Sequence, residues 1–173
     1  MMTTRVGPVV AGTRPELAHI EKSIIEERGR ISPLYRVLLN SAPLAEGWEK
    51  LLTALRNRSS LPADLREMVI LRVAILNRAP FEFAAHRPIA LEAGVTVEKL
   101  AALHEVPPGA ALDAKERAVI ALADAMTRDV QVPDAVFAPL RAYFDATALT
   151  ELVALVAAYN MVSRFLEAMN IGH

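Results

Sequence analysis

Glu82 and His86 stand four residues apart in a run of apolar neighbours, Phe81, Phe83, Ala84, Ala85, Ile89 and Ala90. On a helix that spacing sets a carboxylate and an imidazole one turn apart on one face. In apolar surroundings desolvation raises the glutamate pKa and lowers that of the histidine, while their attraction opposes both shifts. The two then titrate as a coupled pair able to move protons near neutral pH. The same spacing also suits an exposed helical ion pair worth roughly a few tenths of a kcal/mol. The local pattern leaves both readings open.

Other polar residues carry weaker signals. Asn160 and Arg164 are again four apart, beside Tyr159 and Ser163. They form either a binding face or a structural arginine paired with Asp124 or Glu151. Glu16 and His19 have the Glu-x-x-His spacing of carboxylate-bridged di-iron helices. Such sites need that motif twice plus two further glutamates, and it occurs once, so a surface helix is expected there. His104, in a loop, and His173, at the terminus, receive no role. The chain has no glycine-rich phosphate loop, nucleophile elbow or zinc signature.

The elements that must position these residues read as helices throughout. Thr13 and Glu16 with Pro15 between them have the spacing of a capping box, followed by Leu17, Ile20, Ile24 and Ile25 up to Gly29. Ser32-Pro33 starts a second helix, Pro43 a third through Trp48 and Leu55, and Pro62 a fourth with Leu65, Met68, Val69, Val73 and Leu76 on its apolar face. Pro80 opens a fifth that closes at Gly94, Thr96 caps a short sixth, and Pro107-Pro108-Gly109 is a loop. Asp113 and Glu116 form a second capping box before Arg117–Arg128, and helices over Pro133–Phe144 and Thr147–Asn170 complete the set. No alternating window competes as a strand, so the expected fold is all-α with about eight or nine helices. A short echo between 65–70 and 115–120 is no more than helical patterning produces. Residues 1–30 are expected to form an N-terminal arm and first helix packed on a domain spanning 31–173, a single globular domain overall.

Composition narrows the chemistry. The 173 residues are 53% hydrophobic with 19 basic and 20 acidic side chains, a net charge of −1. A chain of this size buries roughly 70% of the surface its unfolded form exposes, so it needs no staple. It has no cysteine, which removes thiol peroxidase, thiol reductase, zinc-thiolate and iron–sulfur chemistry together. Near-neutral charge argues against nucleic acid as the main partner. The apolar run Leu149–Met169 carries Glu151, Asn160, Arg164 and Glu167, too polar for a lipid span. No signal-type apolar segment follows the N-terminal residues, and a cytoplasmic protein is expected. A mean hydropathy of +0.28, with a final helix apolar on most sides, predicts a homo-oligomer.

Three stretches carry a resemblance. Leu65-Arg66-Glu67-Met68-Val69-Ile70-Leu71-Arg72-Val73-Ala74, then Phe81-Glu82-Phe83-Ala84-Ala85-His86, then Ala90-Leu91-Glu92-Ala93-Gly94-Val95 look like the carboxymuconolactone decarboxylase family. Ala121 to Met126 and Tyr159 to Phe165 are similar to that family's later helices, so the likeness runs over roughly residues 31–171. It implies an all-α bundle of the alkyl hydroperoxidase D-like kind, assembled as trimers or hexamers. The family's redox branch is marked by Glu, eleven residues, Cys-x-x-Cys, three residues and His. On this chain those glutamate and histidine positions are Glu67 and His86, while the cysteine positions hold Ala79 and Glu82. The resemblance thus implies acid–base members without the redox pair.

The decarboxylase branch removes CO2 from a lactone carboxylic acid without a cofactor. By that likeness His86 is expected as acid/base, Glu82 as its partner and Glu67 as a relay behind them. Arg164 or Arg72 is expected to bind a substrate carboxylate, and Phe83 and Asn160 to line the site. Phe81, Phe83, Met161 and Phe165 suit a less polar acid than a dicarboxylated lactone. No metal is expected, although one histidine and two glutamates could hold a divalent ion. The alternative is a non-catalytic small-molecule-binding or assembly protein of the same fold. Helix geometry makes the triad plausible in space. Glu67 lies about 15 Å before the Asn77–Ala79 junction and His86 about 9 Å beyond it, an axial offset of roughly 6 Å in an antiparallel pair.

Overall fold

A computed structural model of the chain describes residues 4–172. His173 lies outside the described residues. Among these there is no strand, and the helices are α1 (Ala18–Arg28), α2 (Pro33–Leu38), α3 (Ala42–Asn57), α4 (Ala63–Leu76), α5 (Pro80–Glu92), α6 (Val97–Ala102), α7 (Ala114–Arg128), α8 (Asp134–Phe137) and α9 (Ala146–Met169). Short 3-10 turns precede α1, at Pro15–Leu17, and follow α8, at Ala138–Ala142. The all-α fold read from the sequence is the observed one.

Local signals explain most boundaries. Pro33 and Pro80 sit in the first turns of α2 and α5, where a missing N–H costs nothing. The Asp113–Glu116 capping box forms with both of its hydrogen bonds at 2.8 Å, and the Thr96 hydroxyl accepts the Lys99 N–H at 3.2 Å. Two expectations need correction. The Thr13–Glu16 box does not form, because Thr13 donates its hydroxyl to the Val10 carbonyl at 2.6 Å and Glu16 is held by Arg14 at 2.8 Å. The expected helix over 133–144 is a four-residue α8 and a 3-10 turn; Pro139 has no N–H with which to continue α-helical bonding.

By packing the chain divides into two compact units. One holds the described residues through Arg58 together with those from Leu166 onward, and the other is Ser59–Phe165. In the first, α1 and α2 both pack on α3. Its buried Glu49 accepts hydrogen bonds from Ser23 at 3.3 Å and Thr53 at 2.7 Å.

In the second unit α4 packs against both α5 and α7. Their shared core includes Met68 and Leu71 of α4, Ala90 of α5 and Ile120 of α7, with Leu103 and Leu112. From Glu67 to Ala74 every residue of α4 is buried, so α4 is a helix enclosed on all sides. Two of those residues, Glu67 and Arg72, are charged, and each needs a partner inside the protein. α9 is long and apolar enough to cross a bilayer by length and composition. Its Leu152, Leu155, Val156, Tyr159 and Val162 are buried.

Candidate functional site

Glu67 finds its partner on α5. His86 Nδ1 lies 2.6 Å from Glu67 Oε2, and His86 Nε2 lies 3.2 Å from Glu82 Oε1. All three residues are at most 5% exposed. The Tyr159 ring stands edge-on to the imidazole, with centroids 5.5 Å apart and planes at 88°. The exposed ion pair that the Glu82–His86 spacing also allowed is thus not what forms. The junction explains the proximity. α4 stops at Leu76, Asn77–Ala79 turn the chain, and Pro80 restarts it as α5, so the two helices return along each other.

Burial opposes charge on the imidazole, but hydrogen bonding and charge from Glu67 and Glu82 outweigh it. The His86 pKa is held above the ordinary 6.5. The two carboxylates therefore favour the imidazolium more than water does around a free imidazole. Its Nδ1 contact is short and fixes the ring, whereas the Nε2 contact is looser. Among the described residues no group of three or more His, Cys, Asp or Glu side chains is arranged to hold a metal.

The remaining expected site residues lie elsewhere. Arg72 is a correction: it is fully buried and spends its guanidinium within the protein. Nε and Nη2 each lie 2.6 Å from the two oxygens of Asp124, and Nη1 donates to the carbonyls of Leu103 and Glu105. Four of its five N–H groups are taken and the side chain is fully buried, so it does not face a ligand. Asn160 is tied up as well, donating to Thr127 Oγ1 at 2.9 Å and the Val156 carbonyl while accepting from Asn77 Nδ2 at 2.9 Å. Exposed Arg164 donates to Asn77 Oδ1 at 3.2 Å and pairs with neither Asp124 nor Glu151. Asp124 serves Arg72, and Glu151 accepts from Ser60 at 2.6 Å. His19 and Glu16 are exposed.

Phe83 does line a cavity, of about 480 Å³, at the α4–α5 junction. Ala74, Ile75, Ala79 and Pro80 supply its other apolar walls, and Arg78 and His104 its polar ones. His104 meets the Phe83 ring edge-on at 5.2 Å. Sequence reasoning gave Arg78 and His104 no role. The signal for Arg78 was its place in a three-residue turn between two helices, where one residue has to reverse the chain.

Residues 42–125 match the model of the carboxymuconolactone decarboxylase family. That stretch runs from α3 into α7 and contains Glu67, Glu82 and His86. No curated protein matches the sequence. Among solved structures, the debrominase Bmp8 in its apo form is 20% identical with a TM-score of 0.82, covering 99% of this chain and 92% of that one. A variant of Bmp8 in complex with 2,3,4-tribromopyrrole is equally similar, with a TM-score of 0.82. An uncharacterized peroxidase-related protein from Ralstonia eutropha JMP134, described as an alkylhydroperoxidase AhpD core, is 16% identical with a TM-score of 0.82, covering 99% and 92% of the two chains. At such identities the likeness establishes the fold, which is the alkyl hydroperoxidase D-like helical fold.

Proposed function

We propose that this chain is a cofactor-free acid/base enzyme that removes CO2 from a small lactone or keto carboxylic acid. The observation that carries the reading is a buried imidazole held between two carboxylates, with its pKa above 6.5. In such a reaction the bond between carbon and carboxylate breaks and CO2 leaves. The electron pair passes into the conjugated carbonyl and returns to carbon as a proton is added, so each turnover consumes one proton. Proton donation by a positioned group contributes about 10² to 10⁴ in rate. Glu67, on the short Nδ1 contact, is the positioning residue. The proton leaves from the looser Nε2–Glu82 side, and water restores it. Peroxide reduction through a cysteine pair is outside this chemistry, since the chain has no thiol to oxidise.

The same reading takes the enzyme as a homo-oligomer, trimer or hexamer, supported by exposed Leu44, Leu51 and Val97 and by a mean hydropathy of +0.28. Light scattering that found only an 18.8 kDa species at micromolar concentration would refute that part.

One observation favours the binding-protein alternative: both imidazole nitrogens already face carboxylates, so neither is open to a ligand. Incubation in D2O with a panel of lactone and β-keto acids separates the two readings. Catalysis predicts CO2 release with deuterium on the product carbon, lost at least a hundredfold in His86→Asn. Ligand binding without CO2 release or deuterium uptake above background would establish the alternative.

A further inference from the structure

We propose that Arg78 anchors a substrate carboxylate in the junction cavity, making the preferred ligand a flat, largely apolar lactone or keto acid with a single carboxylate. This names the substrate class for the function proposed above and rests on that reading.

α4 and α5 end in the same left-handed C-terminal motif. After α5, Gly94 N–H bonds the Leu91 carbonyl at 3.1 Å and Val95 N–H bonds that of Ala90 at 2.9 Å, with Gly94 at φ +99°. After α4, Arg78 N–H bonds the Ile75 carbonyl at 3.1 Å and Ala79 N–H bonds that of Ala74 at 2.9 Å, with Arg78 at φ +55°. α9 ends likewise on Asn170 at φ +55°. Glycine and asparagine are the residues that accept this conformation readily. Arginine gains nothing from it locally.

A positive φ alone does not mark a site, since exposed Val130 also has one, +68°. Arg78 is exposed as well, and what distinguishes it is the cavity it borders. Its side chain has no hydrogen-bond or ion-pair partner among the described residues, and it lines the cavity of about 480 Å³. The walls opposite are apolar except for His104, whose ring is held against Phe83. An apolar slot with one free guanidinium fits a ligand that is apolar over most of its surface and ends in one carboxylate, which the planar fork grips in two hydrogen bonds. Ala79 and Pro80, also in the wall, are the N-cap and first residue of α5. The other two arginines expected to bind a carboxylate are engaged elsewhere, Arg72 with Asp124 and Arg164 with Asn77.

The test uses 2-naphthoate and its neutral counterpart 2-naphthalenemethanol as probes, titrated calorimetrically into the full chain. Wild type should bind the acid at least tenfold more tightly than the alcohol. Arg78→Gly, which suits the backbone at this position, should keep or raise the melting temperature, weaken the acid at least tenfold and change alcohol binding less than twofold. Equal binding of the two probes by wild type, or unchanged acid binding in Arg78→Gly, would overturn the proposal. His86→Asn separates this claim from the proposed reaction. Acid binding retained in that variant without any turnover by wild type would defeat the reaction and leave the pocket standing. Turnover whose KM is the same in wild type and Arg78→Gly would do the reverse.

Discussion

α4 buries two charges five residues apart, and the protein treats them in opposite ways. Arg72 meets Asp124 of α7 in a two-pronged contact, 2.6 Å on each arm, and two backbone carbonyls accept from Nη1. One cation faces one anion there, and four of the five guanidinium N–H groups are taken. Glu67 meets one imidazole that a second carboxylate, Glu82, also approaches. Two anions share one cation, one contact is shorter than the other, and the central group is the side chain whose charge changes near neutral pH. The first cluster is a clamp, whereas the second stores a proton. Burial alone therefore does not separate a structural ion pair from a chemical one; stoichiometry and saturation do.

Breaking the clamp should have the largest effect on stability. Arg72→Met leaves Asp124 without its main partner and should cost about 3–5 kcal/mol, read from the denaturant midpoint. Adding Asp124→Leu should recover most of that loss. A cost under about 1 kcal/mol for Arg72→Met would show that the contact is not the clamp described.

Glu67→Gln strikes the other cluster at its tighter contact. A loss of about 1–3 kcal/mol is expected. With one carboxylate gone, burial weighs more heavily and the His86 pKa should fall. Glu82→Gln, at the looser contact, should move both quantities in the same direction but less. If Glu82→Gln proved the more damaging for stability, the assignment of Glu67 as the positioning residue would be reversed.

Linkage gives a further contrast. The folded-state pKa of His86 is above its ordinary 6.5, so the proton is bound more tightly in the folded chain. The stability this lends is full below pH 6.5 and is lost as pH rises through the folded value. The wild-type stability advantage over His86→Asn should therefore shrink across that window. The pH dependence of Arg72→Met should retain this feature, because His86 and both of its carboxylates are unchanged in that variant.

Much of this contrast was legible in the sequence, and the missing part has a physical reason. Pro33, Pro80, Thr96 and the Asp113–Glu116 pair act within one helical turn, so their effect could be read locally. Glu82 and His86 were legible for the same reason, and Glu67 because a three-residue junction constrains how two helices return. Arg72 was not, since an arginine on an apolar helix looks the same whether it faces a ligand or an aspartate 52 residues away. Thr13 and Glu16 misled because a nearer carbonyl and Arg14 outcompeted the cap. Arg78 went unassigned because its significance lies in a backbone angle and an empty wall, neither of which residue type reveals.

The central claim is that His86 is a buried imidazolium held between two carboxylates. A pH titration of the ring nitrogens of wild type by NMR tests it most directly. At pH 6.5 most of the ring is expected to carry a proton on both nitrogens, with the midpoint above that value. A ring that is mainly a neutral single tautomer at pH 6.5 would contradict it.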